Sequence, residues 1–407
     1  MNRRVAITGI GVICGSGRNL SSFRDNLVNG RGGIGPITST ELGDIRFRNG
    51  AEVSDYDPLN HFGAREADFL DRFAQFAVIA AREAVSQAGI KFSPELQEAT
   101  AIVTGSCVGG QSSEDACFWD IYHLSRNRVH PLSIPRIMAN AGASHISMDF
   151  GITGPVYTVS TACASATHAI GQAFGMIRSG AVEMAIAGGS EAPFSFGILR
   201  AWEAMRVVSQ TTCRPFSKNR SGMILGEGGA MLFLESLEAA LARGATVLGE
   251  VVGFGMSSDA SHITQPAVDG AARAIRMALR DGSLAPEQIG YVNAHGTGTQ
   301  ANDIMETRAI HEVFGRHADH LPVSSTKSMH GHALGAAGAL EAAATVLALR
   351  EGLLPPTLNY DEPDPDCALD LVIDKPRSSD AQYAISNSFA FGGLNAVLAF
   401  RKYSCQT

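Results

Sequence analysis

Apolar, β-rich runs alternate with alanine-rich stretches of helical spacing along the whole chain. Arg4 to Ile10 reads as a strand, a helix follows around Phe73 to Gly89, and Ala101 to Gly105 is strand-like again. Val156 to Ser160 runs as a strand into a small-residue helix that starts near Cys163 and ends before Gly180. The next strand, Glu183 to Ala187, is expected to stop at a Gly188-Gly189 turn. The second half repeats the plan with a strand near Leu248 to Phe254, a helix from Gly270 to Asp281, and a strand from Ile289 to Asn293 that ends at His295. This alternation predicts an α/β fold, and its recurrence suggests an internal duplication of pattern, though not of residue identity. Pro355-Pro356 and Asp361 to Asp366, with Pro363 and Pro365, mark a rigid surface loop before the last strands.

Composition narrows the class. The 407 residues are 45% hydrophobic and 18% charged, enough to bury a large core in two or three domain-sized units. A net charge of -8 without a Lys/Arg-dense stretch argues against nucleic acid or an anionic membrane as the main partner. The seven cysteines (Cys14, Cys107, Cys117, Cys163, Cys213, Cys367 and Cys405) are scattered and form no CxxC or zinc-ligand pattern, so they read as reduced thiols. Arg3 and Arg4 precede the apolar run Val5 to Cys14, but Gly9 and Gly11 interrupt it and no cleavage site closes it, which suggests a buried first strand and no signal peptide. Ala333 to Leu349 is mostly alanine and contains Glu341, too weak for a membrane span. A cytoplasmic protein is expected.

Three segments could carry chemistry. Thr161 to Ala166 sits where a strand turns into a helix, so Cys163 would occupy a helix N-terminus, where free amides and the dipole favour a thiolate. A cysteine in such a helix is more commonly inert core, and its company must decide. Asn293 to Thr299 places His295 on a glycine-rich turn at a strand's carboxyl end, where α/β ligand sites lie. Ser325 to His332 precedes a helix, Ala333 to Arg350, whose Gly335, Ala336, Ala337, Gly338 and Ala339 would let it approach the Cys163 helix closely. A thiol and two imidazoles would then converge. His311, His317 and His320 read as solvated surface, His168 as a packed helix residue, and His330 stays open. Gly9-Ile10-Gly11 is no dinucleotide fingerprint, because Cys14 stands where the third glycine would be. Gly226-Glu227-Gly228-Gly229 reads as a strand-entry turn and not a phosphate loop.

Taken together, TACASA, NAHGTGT, STKSMHGH followed by LGAAGALE, and NSFAFGGLNAVL resemble the elongating β-ketoacyl-acyl carrier protein synthases, especially the synthase II type, over nearly the whole chain. TCRPFS, HGTGTQANDIMET and KSMHGH are closer to nodulation-type synthases and to ketosynthase subunits of discrete polyketide systems. The resemblance implies a five-layered αβαβα thiolase fold with halves at 1–250 and 251–407, and a dimer, either with itself or with a chain-length-factor-like homologue. It implies decarboxylative Claisen condensation in fatty-acid or type II polyketide and polyene biosynthesis, with substrates on the phosphopantetheine of an acyl carrier protein and no other cofactor or metal. Cys163 would hold the acyl chain, His295 and His332 would support decarboxylation, and Lys327, paired with Glu341, would orient them. Phe391 matches a gate residue whose amide, with that of Cys163, would receive an oxyanion; Thr297, Thr299, Val108 and Phe389 would contact substrate. Three departures stand out: Ala390 replaces a gate-loop glycine, Val108 replaces a bulkier residue at the acyl-pocket floor, and the docking helix reads Arg65-Glu66-Ala67-Asp68, leaving Arg65 and Arg206 to meet the carrier protein. Two other readings are weighed. A non-catalytic chain-length factor would lack the nucleophile, and a degradative thiolase would place a second cysteine at the His332 position.

Overall fold

The computed structural model describes residues 3–404; Cys405 lies outside them. Ten strands carry the architecture: β1 Val5–Cys14, β2 Thr100–Gly105, β3 Val156–Val159, β4 Met184–Glu191, β5 Gly228–Ser236, then β6 Gly249–Ser258, β7 Ile289–Asn293, β8 Pro322–Ser324, β9 Tyr383–Ala390 and β10 Leu394–Arg401. They lie in the order β8-β7-β9-β10-β6-β1-β5-β4-β2-β3, with the two-residue strand Asp370–Leu371 beyond β8. Each half therefore has one plan. The first and last strands of a half pair antiparallel, the last and fourth antiparallel, and the fourth, second and third parallel. The halves meet where Val5–Ile7 of β1 pairs with Gly249–Val251 of β6.

Side-chain alternation along these strands builds the layers. Ala101 and Val103 of β2 and Ala185 and Ala187 of β4 face a central core with the helices Ser165–Ser179 and Ala337–Glu351, which also receives Leu398 and Phe400 of β10 from the other half. Ile102 and Ile186 point the other way, onto helix Arg72–Ala88. Val397 and Ala399 point onto helices Val268–Asp281 and Gln300–Phe314. The result is helix, sheet, helix pair, sheet, helix, the five-layered order that the family resemblance implies within the α/β class.

Small residues set the spacing. A Cβ on Gly338 would lie 2.0 Å from Thr167 Oγ1, so the two central helices touch where the sequence predicted a close approach. Gly9 and Gly11 do not interrupt β1; a Cβ on either would strike a backbone oxygen of the Arg72–Ala88 helix. Gly188-Gly189, expected to be a turn, lies inside β4. A Cβ there would meet Ala230 O at 2.0 Å or Gly105 O at 2.7 Å, so these glycines serve close strand and helix packing and not chain reversal. Gly226 to Gly229 does enter a strand, β5. Among the described residues no helix is long and apolar enough to cross a membrane.

Gly338→Val should lower stability by about 1–3 kcal/mol through overpacking, read as a shift in urea midpoint at unchanged m. Removing the opposing hydroxyl with Thr167→Ala should recover part of the loss, and equal additive losses would show that the contact does not set the helix spacing.

Candidate active site

The chemistry-bearing segments leave from the carboxyl ends of two parallel pairs, β2 with β3 in one half and β7 with β8 in the other, and meet in one place. After β3 the chain turns sharply. Ala162 takes a left-handed φ of 48° and the helix begins only at Ser165, so Cys163 lies on the elbow just ahead of it. Ser165 pins that elbow, its hydroxyl donating to Ala162 O at 2.6 Å and accepting from Thr161 N–H at 2.9 Å. Cys163 is buried. The expected thiolate is not favoured, because burial pushes the Cys163 thiol up to about 11; Lys327 and the backbone N–H groups of Cys163 and Phe391 pull the other way and lose.

After β7, a buried carboxylate holds the His295 turn. Glu306 accepts the backbone N–H groups of His295 and Gly296, each at 2.8 Å, and Asn387 donates to the same carboxylate at 3.0 Å. After β8, Lys327 sends its ammonium into the site, donating to His295 O at 2.7 Å, to His295 Nδ1 at 3.2 Å and to Glu341 in a fully buried ion pair. The His332 backbone is tied at both ends, its N–H donating to Ile224 O at 2.7 Å and its O accepting from Gly226 N–H at 2.9 Å. Leu334 N–H donates to His332 Nδ1 at 3.2 Å. Because both Nδ1 atoms accept, the ring proton of each neutral imidazole sits on Nε2. The rings stand nearly perpendicular, at 87° with centroids 5.4 Å apart. The Cys163 sulfur and one nitrogen from each ring lie within 4.8 Å of one another.

Burial first, and then the Lys327 charge, hold both histidines well below the usual imidazole range. They are uncharged donors at neutral pH. Burial pushes Glu341 up to about 7, against the pull of Lys327. A cation held by Cys163, His295 and His332 would have to sit beside the buried ammonium, which opposes it.

The remaining histidines divide. His330 is buried with Nδ1 against Gly331 O at 2.8 Å and Nε2 against Thr326 Oγ1 at 2.9 Å, so both its nitrogens are engaged away from the site. His168 is packed in its helix, Nδ1 3.0 Å from Ala164 O. His320 is exposed, but His311 and His317 are half-buried and bind the carbonyls of Ala368 and Ile289, each at 2.8 Å, instead of lying free in solvent.

Two cavities meet at Cys163. The narrower, about 110 Å³, is lined by His295, His332, Phe389, Thr297 and Thr299, with the two threonine hydroxyls 2.9 Å apart. The wider, about 390 Å³, is lined by apolar groups that include Val108, Ile198 and Leu334. Phe391 and Trp202 line both cavities and stack at 6.4 Å, so Phe391 stands on the boundary. Val108, expected at the floor of an acyl pocket, is 43% exposed, and that wall is open in the single chain. Ala390 lies in β9; the left-handed positions of the turn that follows are Gly392 and Gly393, so the alanine strains nothing in this conformation. Arg206 is exposed at the end of helix Phe196–Met205, next to Val207 of the narrower cavity. Arg65 is exposed on helix Ala64–Phe69 with its guanidinium over Phe69, and it lines neither cavity.

Sequence reasoning does not single out Glu306, Trp202 or Gln111. For Glu306 a signal exists: an acidic residue two turns into the helix that follows a glycine-rich turn can reach back to that turn's amides.

Two duplicated α/β halves closing on a shared thiol and imidazole pair are the architecture of the thiolase fold. Within that class, the chain belongs to the β-ketoacyl synthase family, whose N-terminal domain matches residues 2–240 and whose C-terminal domain matches residues 248–361. It is 46% identical over 402 residues to "Nodulation protein E" of Rhizobium sp. (strain N33), covering 99% of this chain and 100% of that one. It is 42% identical over 409 residues to "3-oxoacyl-[acyl-carrier-protein] synthase 2" of Synechocystis sp., covering 98% of each. The solved structure "The ishigamide ketosynthase/chain length factor" superposes with a TM-score of 0.94 at 38% identity, over 99% of this chain and 100% of that one.

The pKa directions have a checkable consequence. A histidine kept neutral by burial lets the unfolded chain bind protons that the native chain does not, so stability should fall as pH drops below about 6.5. Urea midpoints between pH 7 and 5 should show this fall, and His332→Asn should flatten it; an unchanged slope would mean His332 is not held neutral. Alkylation of Cys163 by iodoacetamide, followed by intact mass, should rise about tenfold per pH unit from 7 to 10.

Proposed function

We propose that this chain catalyses decarboxylative Claisen condensation of a malonyl thioester with an acyl group held on Cys163, both substrates arriving on an acyl carrier protein. The convergence of one sulfur and two neutral imidazole nitrogens within 4.8 Å carries the reading. In the first step Cys163 displaces the carrier thiol from an acyl thioester, and the Cys163 proton leaves with that thiol. The malonyl thioester then enters with its carbonyl oxygen against the Nε2–H donors of His295 and His332, which stabilise the enolate formed as carbon dioxide departs. The enolate carbon attacks the acyl-Cys163 carbonyl, whose developing oxyanion receives the backbone N–H groups of Cys163 and Phe391. That attack forms the carbon–carbon bond; collapse of the tetrahedral intermediate then restores the carbonyl, breaks the bond to sulfur and expels the Cys163 thiolate, which takes up one proton. The high affinity of that sulfur for a proton drives the recapture.

Lys327 and Glu341 position the imidazoles, Thr297, Thr299 and Phe389 line the pantetheine approach, and Phe391 gates passage to the wider acyl cavity beside Val108. The substrates bring their own phosphopantetheine, so the chemistry calls for no further cofactor. Arg206 at the cavity mouth, with Arg65, meets the acidic carrier protein. A second subunit of the same fold, either this chain or a chain-length-factor-like homologue, covers the exposed Phe118, Trp119, Tyr122, Ile134 and Met138. Retention of Cys163 and His332 sets aside the non-catalytic factor and the degradative thiolase.

Malonyl-ACP and an acyl-ACP should yield carbon dioxide and a β-ketoacyl-ACP. Cys163→Ala should abolish acyl transfer, and His295→Ala or His332→Ala should slow carbon dioxide release by about 10²–10³-fold while leaving Cys163 acylation measurable. Normal condensation by Cys163→Ala would refute the assignment.

A further inference from the structure

Six glutamates are buried to 0–1% exposure, and four of them, Glu227, Glu235, Glu250 and Glu341, are each paired with an arginine or lysine. Glu191 and Glu306 meet only neutral donors among the described residues. A buried carboxyl without a counter-charge is costly and is kept only where hydrogen-bond donors are aimed at it. In both cases those donors include backbone amides of turns that leave strands of the site. Glu306 holds the His295 turn after β7. Glu191, the last residue of β4, holds the turn after β2, accepting from Cys107 N–H at 2.7 Å and from the Ser106 hydroxyl at 2.9 Å. It then reaches out of its own half, because the oxygen that takes Cys107 N–H also takes Gly335 N–H at 3.1 Å.

Gly335 belongs to the short turn Leu334–Ala336, between His332 and the helix Ala337–Glu351. Leu334 has a left-handed φ of 48°. Leucine is strained there, and the strain persists only where the chain is fixed on both sides. On one side the His332 backbone is tied to Ile224 O and Gly226 N–H; on the other, Gly335 N–H is tied to Glu191. Gly335 is also pressed into place, since a Cβ there would lie 2.5 Å from Glu191 Oε2 and 2.5 Å from Cys107 N. The left-handed turn brings Leu334 N–H back onto His332 Nδ1 at 3.2 Å. If the turn relaxed, the ring would lose the contact that fixes its tautomer and its angle.

We propose that Glu191 is a positioning residue for His332, which through the Gly335 N–H holds Leu334 in its left-handed turn and so keeps the His332 ring proton on Nε2, toward the reacting thioester. Its role in turnover rests on the condensing-enzyme reading, in which His332 supports decarboxylation; the hold on the ring does not. Burial pushes Glu191 up to about 7, against the pull of the Cys107 amide, the Ser106 hydroxyl and the Gly335 amide, so both forms of the carboxyl are present near neutrality. Either form presents an oxygen to the two amides, and a glutamine does the same.

The test compares the wild type, Glu191→Ala and Glu191→Gln, each alone and combined with His332→Ala. Carbon dioxide release from malonyl-ACP is timed, Cys163 acylation by an acyl-ACP is read by intact mass, and ring nitrogen-15 shifts report the His332 tautomer, assigned by its loss in His332→Ala. Glu191→Ala should slow carbon dioxide release about tenfold through kcat with little change in KM. It should leave Cys163 acylation near the wild-type rate and give a mixture of Nδ1–H and Nε2–H forms. Glu191→Gln should restore both the rate and the single Nε2–H form. In the His332→Ala background Glu191→Ala should cost no further rate, because the pair acts as one unit. Glu191→Met, which fills the same space without a carboxyl, replaces Glu191→Ala should the latter fold poorly. Equal losses in acylation and decarboxylation, an equal loss without His332, or an unchanged His332 tautomer would overturn the inference. A wild type that releases no carbon dioxide from malonyl-ACP would instead sink the condensing-enzyme reading, and the ring shifts would still decide whether Glu191 holds His332.

Discussion

The buried ammonium of Lys327 is the constraint on which the rest of the site hangs. A charge with no solvent exposure must be paired and hydrogen-bonded to be tolerated, and Lys327 meets that demand through Glu341, His295 O and His295 Nδ1. Glu341 and His295 lie on two different elements and Lys327 on a third, so satisfying one cation fixes the helix Ala337–Glu351, the turn after β7 and the segment after β8 relative to one another. The same charge has an electrostatic result. It disfavours protonation of both His295 and His332 and favours ionisation of Cys163. Positioning and tuning are therefore one interaction, and a smaller or uncharged residue at 327 would lose both together.

The duplication explains why the site lies where it does. Strand β2 corresponds to β7 and β3 to β8, since each pair holds the same place in its half. Cys163 after β3 thus stands opposite the His332 segment after β8, and the helices that follow, Ser165–Ser179 and Ala337–Glu351, are the two members of the central layer. By the same correspondence Cys107 after β2 stands where His295 stands after β7. One half has kept a thiol on a sharp elbow and the other has supplied imidazoles and a cation. The Gly338–Thr167 contact holds the elbows near enough to share a substrate.

Much of this was legible from residues because the relevant signals are local. Strand ends at Asn293 and Gly105, the helix stop at Gly180 and the glycine-alanine stripe from Gly335 to Ala339 each express a rule that acts within a few residues. The misreadings came where a distant element decided. Gly188-Gly189 looks like a turn but is cleared for Ala230 and Gly105, far away in sequence, and Gly9 and Gly11 are cleared for the Arg72–Ala88 helix. The thiolate expectation rested on the helix end alone; burial, a property of the whole fold, overrode it. Glu306 gives no such local signal of its partners, because a carboxylate that clamps remote amides is a fact of three-dimensional placement.

In the proposed condensation, the raised Cys163 thiol would reconcile two opposed demands. Acylation needs a nucleophilic sulfur, whereas condensation needs the same sulfur to leave. A strongly acidic thiol would leave readily but attack weakly, and it would invite oxidation between turnovers. A thiol that burial keeps protonated is quiet at rest, and the three groups that oppose burial, Lys327 and the backbone N–H groups of Cys163 and Phe391, act on whichever negative charge appears at that spot. During attack and departure the charge is on sulfur; between them it is on the adjacent carbonyl oxygen. A fixed set of donors close to both atoms stabilises each transition state more than the resting thiol, which carries no charge for them to meet. Rate acceleration and a protected ground state then follow from the same geometry.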